Sequence, residues 1–276
     1  MYIGCHLTIA EGYKKAAELA LSINANVFQF FSRNPRGASQ KEFDAQDVES
    51  MAKILKENNF GPILAHAPYI LNLGSYKEDI YGLGKRVMKE DYERLEKTPC
   101  SYFTFHPGNH LGKGAEYSIE RIASALNEII TGNENTMILL ETMSGKGTEV
   151  GCTFEQIKEI IDRVKYSELV GVCMDTCHIY SAGYDIVNNL DNVIEEFDNI
   201  VGIEKLKCIH LNDSMKEFDS RKDRHEKIGN GTIGLEAIKK VITHPQLKDL
   251  PFYLETPNEL DGYKEEIKLL RKLAAE

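Results

Sequence analysis

The chain has 276 residues, of which 42% are hydrophobic and 28% are charged, an ordinary balance for a globular protein. This length allows one large domain with a substantial core. No apolar run approaches the roughly 18 residues that a membrane helix needs. The net charge of −10 argues against a nucleic-acid binder that relies on a basic face, although bound cations can reverse the charge of a local site.

The first residues, MYIGCHLTIAEGYKK, show no basic stretch followed by an apolar one. They therefore predict no secretion signal, and we expect a cytoplasmic location. The 6 cysteines form no CxxC pair, and most of them lie inside or beside apolar stretches. We expect free thiols in a reducing compartment rather than disulfides.

Short runs of β-branched and aromatic residues recur along the whole chain and predict eight strands. The predicted strands are residues 2–7, 27–31, 63–67, 102–106, 137–141, 170–175, 207–211 and 252–255. Between them, apolar residues recur at positions i, i+3 and i+4, which is typical of helices. The predicted helices are residues 11–22, 45–58, 85–96, 118–130, 154–164, 190–197, 235–242 and 263–273.

The start of the fifth predicted helix has a local signature. Thr153 is a predicted N-cap, and Gln156 stands three residues later, as in a capping box. The alternation of strand and helix predicts a parallel TIM (β/α)8 barrel. Because no linker or low-complexity tract interrupts it, we expect residues 1–276 to form a single domain.

Side chains of the types that bind metals recur where strands end. Catalytic groups of such barrels lie at the carboxyl ends of the strands and in the loops that follow. Six of these side chains end the third to the eighth predicted strands, and three lie in the loops after the sixth and seventh. The nine are His66, His106, Glu141, Asp175, His178, His210, Asp223, His225 and Glu255.

A single histidine or glutamate at a strand end is more often a satisfied polar residue than a ligand. Here the barrel would bring six consecutive strand ends to one cavity, where buried carboxylates must be paired or bind metal. Nine ligands are too many for one zinc ion, which takes about four. The sequence therefore indicates a cluster of metals, and such clusters suit phosphoester cleavage.

Three further residues of metal-binding types are not expected to be ligands. Cys177 lies between Asp175 and His178, but we expect the two flanking residues to be the ligands for phosphate chemistry. His6 ends the first strand, where a supporting or core role is favoured over ligation. A structural role in its loop is favoured for His110.

Several segments carry a resemblance to a known family. The most specific are GVCMDTCHIYSAGYD (171–185), HLNDSMKEFDSRKDRHEKIGNGTIG (210–234) and YFTFHPGNHLGKG (102–114), supported by LLET (139–142) and YLETP (253–257). Over essentially its full length, the chain resembles the endonuclease IV group of apurinic/apyrimidinic endonucleases. That family is a TIM barrel with three metals, usually zinc, and one site could take manganese.

The resemblance implies three ligand sets that share residues. His66, His106 and Glu141 would hold the first ion, and His178, Asp223 and His225 the third. The second ion would be held by four residues, with the glutamate bridging to the first set: Glu141, Asp175, His210 and Glu255.

The resemblance also implies the reaction and the partner. The substrate would be double-stranded DNA with an abasic site, cut on its 5′ side to leave a 3′-hydroxyl and a 5′-deoxyribose phosphate. Water between the metals would become hydroxide near neutral pH and attack the phosphorus, with Glu141 central to catalysis. The same chemistry implies removal of blocking groups at 3′ ends. We expect a monomer.

The segments that would contact DNA resemble the family less closely. FFSRNPRG (30–37) resembles a loop that enters the minor groove, with Arg36 as the inserted arginine. Gly37 and Ala38 stand where a bulky aromatic residue often follows. Tyr69 and Ile70 stand where the family has a wedging pair that is usually Tyr-Leu.

Two other functions are compatible with parts of the sequence. A sugar isomerase or epimerase of the xylose isomerase-like barrel type needs one metal, and Glu141, Asp175, His210 and Glu255 alone would suit it. That alternative leaves five candidate ligands without a role. A catalytically silent lesion binder is the other alternative, and the full ligand set argues against it.

Overall fold

The computed structural model describes residues 1–37, 39 and 42–276. Eight parallel strands form one sheet in the order β1-β8-β7-β6-β5-β4-β3-β2. Their bounds lie close to the predicted ones: β1 (Tyr2–Cys5), β2 (Gln29–Phe31), β3 (Leu64–His66), β4 (Tyr102–Phe105), β5 (Met137–Glu141), β6 (Val170–Asp175), β7 (Leu206–His210) and β8 (Pro251–Leu254).

The sheet closes on itself between its first two strands. A parallel bridge joins His6, just after β1, to Gln29 in β2, and the Leu7 backbone N–H donates to the Gln29 carbonyl at 2.8 Å. The remaining neighbours pair in parallel along the sheet. The predicted TIM barrel is confirmed, and the carboxyl ends of all its strands meet at one rim.

Within the described residues, nine α-helices accompany the strands. They are α1 (Tyr13–Ser22), α2 (Ala45–Glu57), α3 (Glu78–Leu95), α4 (Ala115–Ile129), α5 (Phe154–Asp162), α6 (Thr176–Ser181), α7 (Leu190–Ile200), α8 (Leu235–Thr243) and α9 (Leu260–Ala275). Among these residues, no helix is both long and apolar enough to cross a membrane.

One helix begins well before its predicted start, and another was not predicted. The third begins at Glu78 and not at Lys85, because Gly82 and Gly84 interrupt the apolar pattern of its first turns. A Cβ at Gly84 would lie 3.2 Å from the Leu73 side chain, so the small residue permits close packing there. The short helix α6 was not predicted, since six residues are too few to show a helical period.

The predicted capping box at Thr153 forms only in part. The Thr153 hydroxyl accepts from the Gln156 backbone N–H at 3.3 Å, as predicted. The Gln156 side chain does not reach back to Thr153, and its Oε1 accepts from the backbone N–H groups of Gly151 at 2.7 Å and Cys152 at 3.3 Å. The Gln156 side chain thus stabilises the loop before α5 and does not cap the backbone of Thr153.

The barrel interior beneath the rim is apolar. Because side chains alternate along a strand, a residue two positions before another shares its face. Five buried residues lie two positions before candidate ligands on five different strands, and they cluster with Val27: Leu64, Leu139, Cys173, Cys208 and Tyr253. This layer closes the floor of the site against water.

All 6 cysteines are free thiols, as predicted.

Candidate metal centre

The strand ends bring most of the predicted ligands to the rim. His66, Glu141, Asp175 and His210 are the last residues of β3, β5, β6 and β7. His106 and Glu255 were also predicted to end strands. They lie one residue beyond, because β4 ends at Phe105 and β8 ends at Leu254. Both still face the same cavity.

The remaining three are held by short local structures. Asp175 Oδ1 accepts from the His178 backbone N–H at 2.8 Å, so the aspartate caps α6 and places His178 in its first turn. The long loop after β7 returns as a two-stranded ribbon in which Ser214 pairs with His225. The ribbon brings His225 Nε2 to 3.5 Å from Asp175 Oδ2.

The side chains form four overlapping groups among the residues that the structure describes. Within each group the ligand atoms all lie within 4.8 Å of one another. Three of these groups have the same members as the sets that the family resemblance implies. The fourth adds the cysteine that the sequence disfavours as a ligand, and it consists of Asp175, Cys177 and His225.

Glu141 is fully buried and faces two of these groups at once. Its Oε2 lies 3.1 Å from His66 Nε2 and 3.5 Å from His106 Nε2. Its Oε1 lies 3.1 Å from His210 Nδ1 and 3.4 Å from His178 Nδ1. One carboxylate thus points one oxygen at each group, which is the geometry that a bridging ligand requires.

Backbone carbonyls fix the tautomers of three histidines. A carbonyl only accepts, so the ring nitrogen that contacts it must carry the proton. His66 Nδ1 donates to the Ala67 carbonyl at 2.6 Å, His178 Nδ1 to Thr142 at 2.9 Å and His225 Nδ1 to Glu255 at 3.3 Å. Each ring therefore turns Nε2 toward the cavity, as ligating histidines do when an outer partner holds the other nitrogen.

The cavity fits metal ions. The Nε2 atoms of His178 and His225 are buried and make no hydrogen bond. They lie 3.4 Å and 3.5 Å from Asp223 Oδ1. Tetrahedral ligands at about 2.0–2.1 Å from an ion are about 3.4 Å apart. The donor set of imidazoles and carboxylates, with its unpartnered nitrogens, suits zinc or manganese.

The charges in the cavity support the same conclusion. Burial alone would raise the pKa of Glu141, but the charges of His210 and His106 outweigh it and hold that pKa well below its ordinary value. Burial also opposes ionisation of Asp223, yet its contact with His178 lowers the pKa of the carboxyl. An ionised carboxylate in this cavity needs positive charge beside it, which a protonated imidazole or a bound cation would supply.

The sequence did not single out the residues that support the ligands. Asn212 donates to Asp175 Oδ2 at 2.8 Å, and its Oδ1 accepts from the Glu255 backbone N–H at 2.9 Å. Gln29 contacts both His210 and Glu255. It is the one polar residue of the run VFQFF, and a polar side chain buried among aromatic residues signals that partners must exist.

The segment proposed to enter DNA forms a tight turn. The Gly37 backbone N–H donates to the Asn34 carbonyl at 3.2 Å, and Pro35 occupies the second position, as type I turns favour. Arg36 is the third residue of this turn and is exposed. Ala38, the other half of the departure from the family pattern, lies outside the described residues.

The second proposed wedge adjoins that turn. The Tyr69 backbone N–H donates to the Pro35 carbonyl at 3.0 Å, so the two loops are joined. The Tyr69 ring is 56% exposed, and its centroid lies 5.7 Å from that of His66 and 5.5 Å from that of His106. Ile70 is partly buried against the core. The Tyr69 ring thus contacts two candidate ligands, whereas Ile70 packs against the core.

A buried ion pair anchors the turn to the barrel. Nε and Nη2 of Arg33 donate to Asp91 of α3, with Nη2 to Oδ1 at 2.7 Å, and the two side chains are 1% and 0% exposed. The Ser32 hydroxyl also donates to Asp91, at 2.7 Å. Burial raises the pKa of Asp91 even though its contacts with Arg33 and Ser32 oppose the shift, so the ionised carboxyl relies on these partners.

We expect Asp91→Ala to lower the free energy of unfolding by about 3–5 kcal/mol, because it removes the carboxylate from a buried guanidinium. Urea unfolding measures the change. Glu90→Gln is the matched control: Glu90 contacts the same Arg33 at 3.2 Å but is 48% exposed, so its loss should cost less than about 1 kcal/mol. Equal effects of the two substitutions would show that the buried pair does not anchor the turn.

Comparison with known proteins places this geometry in a family. The model of the xylose isomerase-like TIM barrel family matches residues 17–273. "Probable endonuclease 4" of Clostridium beijerinckii is 54% identical over 271 residues, which cover 98% of both chains. The crystal structure of endonuclease IV from Thermus thermophilus matches 100% of this chain and 99% of its own with a TM-score of 0.90 and 30% identity.

The sugar-epimerase likeness is weaker. A D-tagatose 3-epimerase-like protein matches 100% of this chain and 98% of its own with a TM-score of 0.74, at 21% identity. Such low identity indicates a shared fold and nothing more. The endonuclease relatives, in contrast, match at high identity over essentially the full length. The chain belongs to the endonuclease IV family.

Proposed function

We propose that the protein is a DNA repair hydrolase that cuts the backbone on the 5′ side of an abasic site, leaving a 3′-hydroxyl and a 5′-deoxyribose phosphate. The observation that carries the proposal is Glu141, whose two oxygens face two separate groups of histidines. A one-metal isomerase has no use for the group around His66 or for the group around Asp223. We also propose that the enzyme removes blocking groups from 3′ ends, since the bond broken is of the same kind.

We propose zinc as the natural metal, with one site open to manganese. The ligands would be His66, His106 and Glu141 for one ion, and His178, Asp223 and His225 for another. A third ion would be held by Glu141, Asp175, His210 and Glu255. When bound, the ions would neutralise phosphate oxygens, activate water near neutral pH and stabilise the leaving 3′-oxygen.

The protein's own residues would position the substrate. Tyr69, exposed above His66 and His106, would fill the space that a missing base leaves in the helix. A cavity of about 620 Å³ lies beside His6, lined by residues 6–10 and 31–35 with Ser39 and Arg94. It has room for an extruded nucleotide, and an abasic nucleotide stacks poorly and is extruded at little cost. All of these residues come from one chain, so a monomer would suffice.

A duplex with one tetrahydrofuran residue tests the reaction. This stable analogue of an abasic site can be cut by hydrolysis but not by elimination of the sugar. We expect a cut on its 5′ side and a 3′ end that a DNA polymerase extends directly. No cleavage by the zinc-loaded protein, or a cut on the 3′ side, would contradict the proposal.

We expect Arg36→Ala to weaken binding to an abasic duplex by about tenfold, or 1.4 kcal/mol, with a smaller effect on an intact duplex. A minor-groove arginine gains from the negative potential there and can fill the gap beside an unstacked site. Affinities for matched duplexes at one salt concentration measure this, since a mere phosphate contact would weaken both alike.

The control for Arg36 is Arg86→Ala, which removes an arginine that is 65% exposed on α3. It should leave both affinities and the metal content unchanged. If Arg36→Ala weakens both duplexes equally, or neither, Arg36 has no part in lesion recognition.

A further inference from the structure

Gln29 lies where the barrel closes, and its side chain is fully buried beneath the rim. Its amide contacts three side chains. The nitrogen Nε2 lies 2.6 Å from Glu255 Oε1 and 2.8 Å from His6 Nδ1, and the oxygen Oε1 lies 2.6 Å from His210 Nε2. Two of these partners are proposed ligands of the same ion.

The orientation of the amide follows from these partners. An ionised carboxylate only accepts, so the nitrogen of the amide must face Glu255. The oxygen then faces His210, and His210 must carry its proton on Nε2 to donate to it. In the neutral imidazole that binds a metal, Nδ1 of His210 then carries no proton. This atom points to Glu141 Oε1 at 3.1 Å and to Glu255 Oε2 at 3.4 Å.

We propose that Gln29 is a positioning residue for the metal set Glu141, Asp175, His210 and Glu255. It holds His210 in the tautomer whose Nδ1 can bind metal. It also donates to Glu255 Oε1, so that Oε2 would be the oxygen left to hold the ion. This inference rests on the proposed metal centre and deepens it.

The alternative tautomer explains why the amide matters. Without Gln29, the proton of His210 is free to move to Nδ1, where Glu141 Oε1 at 3.1 Å would accept it. That hydrogen bond would occupy both ligand atoms and compete with the ion. Among the other histidines, His66, His178 and His225 are held by backbone carbonyls, so substituting Gln29 leaves their tautomers fixed.

His6 completes the arrangement. Its Nδ1 accepts the second N–H of Gln29, and its ring packs on Phe31 at a centroid distance of 4.3 Å. The supporting role expected for His6 therefore operates through Gln29. Its Nδ1 lies 3.8 Å from Glu255 Oε1, which is too far for a direct hydrogen bond.

Two substitutions separate the functions of the amide. Gln29→Met keeps the length of the side chain and removes both polar ends, so we expect the affinity for one of the bound zinc ions to fall by about 10- to 100-fold, as losses of outer partners do. Gln29→Glu still accepts from His210 but faces Glu255 with a second carboxylate oxygen in place of a donor. It should therefore keep the His210 tautomer and lose the orientation of Glu255.

Chelator competition measures the zinc affinities, and melting temperatures are recorded with and without zinc. A positioning role predicts that Gln29→Met mainly reduces the rise in melting temperature that zinc produces. A merely structural role would lower both temperatures equally. Tyr92→Phe is the control, since it removes a buried hydroxyl that donates to the Thr136 carbonyl at 2.7 Å and should leave zinc affinity unchanged.

Wild-type affinity for every zinc ion in Gln29→Met would overturn this inference and leave the proposed function intact. If the unsubstituted protein itself binds no zinc, the proposed function fails, and this inference fails with it.

Discussion

Complete removal of bound metal is expected to reduce cleavage of an abasic duplex by at least about 10³-fold, the scale on which loss of transition-state charge stabilisation acts. It is also expected to lower the melting temperature. An ion present at 1,000 times its Kd stabilises a fold by about 4 kcal/mol. For a chain of this size, that corresponds to about 8–16 °C.

The physical reason is the charge of the cavity. Glu141, Asp175 and Glu255 converge on one position with His210, and ionised carboxylates at such distances repel one another when no cation lies between them. Dialysis against a chelator, with metal content verified, followed by return of zinc, provides the test. Cleavage that continues unchanged in verified metal-free protein would rule out the proposed chemistry.

Glu141→Gln is expected to be almost inactive, with a loss of at least about 10³-fold in the single-turnover rate and an unchanged circular dichroism spectrum. The amide keeps the shape of the side chain but loses the charge that faces His66 and His106 on one side and His210 on the other. Both neighbouring groups should then hold their ions less tightly. Because the amide keeps the volume of the fully buried side chain, we expect the fold to survive.

Glu266→Gln is the control for that substitution. Glu266 is also a buried glutamate, but it accepts from the Ile228 backbone N–H and the Thr256 hydroxyl and belongs to none of the candidate ligand groups. Its variant should keep a rate within about tenfold of wild type. If Glu141→Gln also stays within about tenfold, or 1.4 kcal/mol in the barrier, Glu141 is not central to the reaction.

The sequence predicted the barrel because strand and helix alternate eight times with clear periods. It also predicted the rim residues, since a parallel barrel brings all carboxyl ends of strands to one face. His178 was predicted as a ligand in the loop that follows Asp175. The short helix that brings the two together was not predicted, because its first turn depends on the cap that Asp175 itself supplies.

Contacts between distant parts of the chain were beyond sequence reasoning. Gln29 lies 181 residues from His210 and 226 from Glu255, and Arg33 lies 58 from Asp91. The residues around Gln29 in the sequence do not indicate its partners. These partners come close to Gln29 only when the barrel closes. A polar residue within an aromatic strand indicates that buried hydrogen-bond partners exist. It does not indicate which residues they are.

The most direct test of the proposed three-metal hydrolase is the metal stoichiometry of the purified, active protein. Elemental analysis and protein concentration are measured on the same sample, and cleavage of an abasic duplex is followed as zinc is returned to metal-free protein. We predict about three ions per chain, with full cleavage only when the last is bound, because nine ligands exceed what one or two tetrahedral ions use. About one ion per chain in a fully active preparation would contradict this account.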